Sequence, residues 1–215
     1  MSDSGAGRDL QAMVAAERRR LCDDLNALTD AQWATASLCT GWDCRDVVAH
    51  LVWALEHSGI QIFGQFVRAG FNLTKFTMRS VRADTRSGSQ VVEALRANAD
   101  NPWTPPGGFG HAAPLTDTLV HGQDIRRPLG LPTSFDHARQ RAVLDFLASK
   151  KATQGFSAKG RLDGVALHAT DIDWSHGTGA EVRGTAEAIM MAMAGRPAAL
   201  ADLDGEGVGL LRSRI

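Results

Sequence analysis

The chain has 215 residues, 44% of them hydrophobic and 22% charged, with a formal net charge of −1. That composition is ordinary for a globular protein with a normal core, and the near-zero charge excludes the basic footprint of a nucleic-acid binder. The opening Met-Ser-Asp-Ser-Gly-Ala-Gly-Arg-Asp has no apolar run behind a basic segment, and the longest apolar stretch, 47–55, is interrupted by His50 and too short for a bilayer. A cytoplasmic chain with no membrane or nucleic-acid partner is expected. Its three cysteines, Cys22, Cys39 and Cys44, lack C-x-x-C spacing; they read as reduced thiols, most simply small buried or half-buried side chains. Tyrosine is absent, so no tyrosine acid can be invoked.

Leu10, Met13, Val14, Leu21, Leu25 and Leu28 recur at three- and four-residue steps and predict a first helix over 9–28. Arg18-Arg19-Arg20 crosses that stripe and reads as a solvated face. Thr29-Asp-Ala-Gln32 is a capping sequence opening a short turn with Trp33. Asp43 is a plausible cap for a second helix over 44–69, on which Val47, His50, Leu51, Ala54, His57, Ile62 and Phe66 share a side. His57 lies about 10 Å along the helix from His50, so the two cannot share an ion, and without another partner each reads as a buried, hydrogen-bonded histidine. The segment 71–86 carries Lys75, Arg79, Arg82 and Arg86; it reads either as a solvated helix or as a grip on an anionic substrate. Ser89 is read as the cap of a helix over 90–99. Next comes a loop by composition, Asn101-Pro-Trp103-Thr-Pro-Pro-Gly-Gly-Phe109-Gly110, whose aromatics either wall a pocket or pin the loop.

The following helix, predicted over 114–127, carries Asp117 and His121. Four residues apart, they are neighbours on one face. With one ligand from a facing helix they would form a three-ligand metal site with an open position, as a catalytic zinc has. His50 is the best third candidate. A solvated face remains the plain alternative for the pair. A further helix, capped by Thr133 or Ser134, completes four or five amphipathic helices in an antiparallel bundle over 1–150. The character then changes. Residues 161–171 alternate with period two and read as a strand, Ala180–Gly184 as a second, and Thr185 caps a helix over 186–194, ended by Gly195. Val208 to Leu211 is a short strand or helix. Gly177-Thr-Gly179 opens no helix, so it is not a dinucleotide loop. The expected organisation is α+β, with a helical bundle over 1–150 and a small α+β domain over 151–215.

Taken together, the blocks resemble one family. Leu38-Cys39-Thr-Gly41-Trp42-Asp-Cys-Arg-Asp46-Val-Val-Ala-His50-Leu, Phe71-Asn72 and Leu119-Val-His121-Gly-Gln-Asp124-Ile are similar to successive blocks of the mycothiol-dependent maleylpyruvate isomerase family, within the DinB-like metalloenzyme superfamily. Ala169-Thr-Asp171-Ile-Asp-Trp174, Val182-Arg-Gly184-Thr-Ala and Ala194-Gly-Arg196-Pro197 resemble its C-terminal domain. The resemblance implies a DinB-like four-helix bundle followed by a small α+β domain. It also implies a divalent metal, usually zinc, on His50, Asp117 and His121; the family's isomerase has glutamate where this chain has Asp117. Asp46 and Asp124, each one turn from a candidate histidine, either orient the imidazoles or serve as helix caps and ion-pair partners of nearby arginines.

The activity so implied is metal-dependent isomerisation or S-transfer on a small electrophile, with mycothiol as cofactor or co-substrate. A metal holds a thiol as thiolate, the nucleophilic form, so no protein cysteine is required. The chain would act as a monomer or homodimer. The alternative is a non-catalytic metal-binding or stress-response protein on the same bundle. A hydrolase using metal-activated water lacks an additional acid–base pair.

Overall fold

A computed structural model describes residues 3–215. The chain gathers into two compact units, Met1–Pro105 with Asp117–Pro132, and Pro106–Thr116 with Thr133–Ile215. Helices α1 (Asp3–Leu25), α2 (Asp30–Trp33), α3 (Cys44–Glu56), α4 (Gly59–Arg68), α5 (Leu73–Ala83) and α6 (Gly88–Ala97) belong to the first unit, as does α7 (Ala112–Leu129) from Asp117 onward. Their apolar stripes meet in one core, with Leu21 from α1, Val48 and Val52 from α3, Leu95 from α6 and Ile125 from α7. Each such side chain contributes about 1.5–3 kcal/mol by leaving water.

The helix expected over 44–69 is two helices. His57 is extended at φ −115° and ψ 139°, its Nδ1 lies 2.7 Å from the Trp53 carbonyl, and its ring stacks on Trp53 at 4.2 Å. Ser58 then opens α4 through a capping box with Gln61. No residue of α4 is buried, and Ile62 and Phe66, expected on the same side as Val47 and Leu51, are half-buried; Ile60, Phe63, Val67, Phe71 and Leu73 are exposed along α4 and the turn into α5. The cap of α6 is Ser87, again in a box with Gln90, rather than Ser89.

Two arginines hold the unit internally. Arg18, read as solvated, is buried, and its Nη1 donates to the carbonyls of Asn98, Ala99 and Asn101 at 3.3, 3.2 and 2.9 Å. It thereby satisfies carbonyls just past the end of α6. Burial pulls Arg18 down to about 10, against the attraction of Asp117 and Asp100. Arg126 on α7 is fully buried and reaches Asp24 on α1 through Nε at 2.8 Å and Nη2 at 2.6 Å, with Glu17 at 3.7 Å. Gly122 makes room for it: a Cβ there would lie 2.6 Å from Arg126 Nη1.

In the second unit, α8 (His137–Ala148, capped by Asp136 rather than Thr133 or Ser134) packs on α9 (Ala186–Met193). The sheet has order β2-β1-β3, with β1 (Val165–Ala169) antiparallel to β2 (Ser175–Gly177) and parallel to β3 (Ala180–Gly184). Every residue of α9 is buried, since it meets α8 as well as β1 and β3. Between β2 and β3 the chain crosses the start of β1 in a few residues. Gly177 and Gly179 permit this, because a Cβ on either would lie 2.4 or 2.1 Å from the carbonyl oxygen of Val165 or Gly164. The Ala169–Trp174 block is structural here: Asp171 accepts the Ala186 N–H at 2.7 Å, and Trp174 Nε1 donates to Asp145 at 2.8 Å. Residues 208–212 form a short helix, α10. No sheet occurs before residue 165 among the described residues, apart from an isolated bridge between Ala36 and Asp43.

The α3–α6 connection is fixed by charge. Arg86 Nη2 grips Asp84 at 2.7 Å and Glu56 at 2.8 Å, and Arg45 reaches Asp84 at 3.3 Å. Burial favours the neutral acid at Asp84, but bonds from Arg86 and the charges of Arg86 and Arg45 outweigh it and hold the carboxyl below its ordinary range. Its stabilising contribution is therefore present above the unfolded value, about 3.9, and lost as pH falls through the folded one. Asp84→Asn is expected to cost roughly 1–3 kcal/mol at pH 7, with the gap from wild type closing in strong acid. Urea denaturation at both pH values measures it; a gap independent of pH would remove the ion pair as its cause.

Candidate metal centre

Helices α3 and α7 bring three of the expected donors together. Asp117 sits between two imidazoles, with Oδ1 3.4 Å from His121 Nε2 and Oδ2 3.9 Å from His50 Nε2. The two rings stand nearly perpendicular with centroids 5.0 Å apart. Donors around a tetrahedral zinc at about 2.0–2.2 Å are separated by roughly 3.3–3.6 Å, so the set is spaced for one ion after small adjustments. Its outer side is open: the Asp117 side chain is 36% exposed and that of His50 22%. Trp42 walls the inner side, 5.0 Å from the His50 ring and 6.3 Å from that of His121, with its Nε1 donating to Met78 Sδ at 2.8 Å.

The opposite edge of the His121 ring is occupied differently. Nδ1 lies 2.9 Å from Oδ2 of the fully buried Asp124, and the same oxygen accepts from Cys39 Sγ at 3.0 Å, with Sγ 3.5 Å from Nδ1. Cys39, His121 and Asp124 thus make a second group with metal-ligand chemistry. Its Asp124 contacts are hydrogen-bond lengths rather than ligand separations, and they account for the orientation of the ring. Burial disfavours a charged His121, but the bonds to Asp124 and Cys39 and the charge of Asp117 outweigh it and push the imidazole up to about 10. A proton and a metal exclude each other at Nε2, so loading an ion displaces that proton.

Backbone geometry explains why Cys39 arrives there. Pro128, inside the last turn of α7, has no N–H for the Asp124 carbonyl four residues earlier. That carbonyl accepts the Leu38 N–H instead, at 3.0 Å, and docks the loop beside α7. The cysteine and tryptophan of the Leu38–Trp42 block lie at the centre; residue type alone marks Cys39 as a small, half-buried side chain, which it is, but not as a neighbour of His121 and Asp124. The distance in sequence hid it, for Cys39 and Asp124 are 85 residues apart. Asp46 is engaged elsewhere, with Arg45 at 2.6 Å and its own N–H on the cap residue Asp43. Trp103 packs on the core of the first unit, and Phe109 against Phe146 and Phe156 in the second. Arg68 and Arg79, from the basic stretch and its neighbour, line a cavity of about 150 Å³ with Gln65 and Phe76.

A family model described as the mycothiol maleylpyruvate isomerase N-terminal domain matches residues 14–126. Two solved structures resemble the whole chain: mycothiol-dependent maleylpyruvate isomerase, TM-score 0.60, and a mutant of it, TM-score 0.61. Each is 14% identical, with 93% of this chain and 92% of the other covered, a likeness of fold. No curated protein matches.

Cys22 and Cys44 are fully buried, and burial pushes both thiols up to about 11. A disulfide reagent at pH 8 is therefore expected to modify one thiol in the native protein, Cys39, and the other two only after unfolding. Two rapidly reacting thiols in the native protein would contradict this burial.

Proposed function

Because the chain belongs to the mycothiol maleylpyruvate isomerase family, we propose that it is a metal-dependent enzyme that presents a low-molecular-weight thiol, mycothiol, to a small electrophile. The observation that carries this reading is the spacing of His50, Asp117 and His121, at 3.4–3.9 Å between donors and open on one side. His50 and His121 supply neutral imidazole nitrogens, Asp117 the carboxylate, and the open side takes the incoming sulfur. When bound, the ion would hold that sulfur as thiolate, whose reversible addition to an unsaturated carbon gives cis–trans isomerisation and whose retained attachment gives S-transfer. The protein's part is to position. Asp124 fixes the His121 ring, Trp42 closes the inner wall, and Asp117 spaces the two rings.

Asp117 is one methylene, about 1.5 Å, shorter than the glutamate of the family's isomerase. Its oxygen must approach to about 2.0–2.2 Å, so this chain holds its ion less tightly than a glutamate variant would. After dialysis, His50→Ala is expected to lose the metal and Asp117→Glu to retain as much as wild type or more, as read by elemental analysis. Metal retained by His50→Ala would remove the site.

Turnover is expected to require added thiol. With mycothiol and maleylpyruvate or a panel of electrophiles, no covalent adduct should appear on the protein by intact mass spectrometry. An adduct that forms and decays at the turnover rate would put the nucleophile on the chain. A metal-loaded protein inactive across the panel favours the non-catalytic alternative.

A further inference from the structure

Cys39 is the thiol of the three that is not buried, yet neither the metal nor the external nucleophile requires it. Its surroundings are built with some care. The Leu38 N–H is bound by the Asp124 carbonyl, the Cys39 N–H by Ser37 Oγ at 3.1 Å, and the Cys39 carbonyl accepts the Trp42 N–H at 3.1 Å. The backbone on both sides of the thiol is thus tied down, and Sγ is held 3.0 Å from Asp124 Oδ2. In this bond Sγ is the donor and the carboxylate oxygen the acceptor. The same oxygen takes the His121 Nδ1 contact at 2.9 Å.

We propose that Cys39 is a positioning residue for the His121 ligand: its S–H fixes the Asp124 carboxylate, and Asp124 in turn fixes the tautomer and orientation that turn Nε2 toward the metal position. The inference rests on the metal site assigned above. Asp124 is fully buried with the Cys39 side chain in place, and a buried carboxylate that loses one of its donors reorients toward the partners that remain. Reorientation swings the ring whose far nitrogen faces Asp117. Residues that orient a ligating histidine typically change metal affinity about 10- to 100-fold when removed. A hydroxyl donates as a thiol does, so serine preserves the device and alanine destroys it.

The test is zinc affinity, measured by competition with a chromophoric chelator, for wild type, Cys39→Ser, Cys39→Ala and His50→Ala. Cys39→Ser is expected within about threefold of wild type and Cys39→Ala at least tenfold weaker. In the zinc-loaded proteins, the His121 Nδ1–H resonance should persist with serine and broaden by exchange with alanine. If Cys39→Ala does not fold, methyl methanethiosulfonate applied to the folded wild type serves in its place. It converts Cys–SH to Cys–S–SCH3 with release of methanesulfinic acid, removes the same hydrogen, and should lower affinity by the same factor until the adduct is reduced. Wild-type affinity in Cys39→Ala or the methylthiolated protein, alongside loss in His50→Ala, overturns the role of Cys39 and leaves the metal site standing. Equal losses in the serine and alanine variants also overturn it. Undiminished affinity in His50→Ala overturns the site and this inference with it.

Discussion

A carboxylate shut away from water has to be satisfied by the protein around it, and Asp124 is fully buried. Its side chain is met by Cys39 and His121, and its carbonyl by the Leu38 N–H. Those contacts tie together a loop before α3, a ring on α7 and the missing rung beneath Pro128. The bond at Nδ1 leaves Nε2 to face Asp117 and His50, so the chemistry on one edge of the imidazole is set by the packing on the other.

The same stretch of α7 serves a second purpose. Arg126, two residues beyond Asp124, is drawn into the first unit by Asp24 and Glu17 on α1, and Gly122, one residue past His121, is shaped to let it pass. Ion pairs this deep often stabilise no more than apolar packing would, but they accept few geometries. Helix α7 is fixed against α1 in rotation, and the face bearing Asp117 and His121 is thereby directed.

The period of the hydrophobic pattern made the architecture legible, at 3.6 through the bundle and 2 beyond residue 160. The misread boundaries had local signals. Ser58-Gly-Ile-Gln61 and Ser87-Gly-Ser-Gln90 repeat the capping pattern that was recognised at Thr29-Asp-Ala-Gln32, but the long apolar run obscured the first and a neighbouring serine competed with the second. Asp117 and His121 could be paired from their spacing along one helix. Arg18 and Cys39 could not be placed in this way. Their partners lie 80 or more residues away, and no local pattern tells a solvated arginine from one that ties off a distant helix end, or a core cysteine from one beside an imidazole.

The crossing at Gly177 and Gly179 bears on the order of assembly. It confines all three strands to residues 165–184, so every rung of the sheet closes a short loop, and structure built from near neighbours in sequence forms fast. The His50, Asp117 and His121 donors span far longer loops, which cost more chain entropy to close. During folding the sheet can therefore exist before those three donors are assembled, and any ion they are proposed to hold would be captured at the end of the process, when α3 and α7 have met.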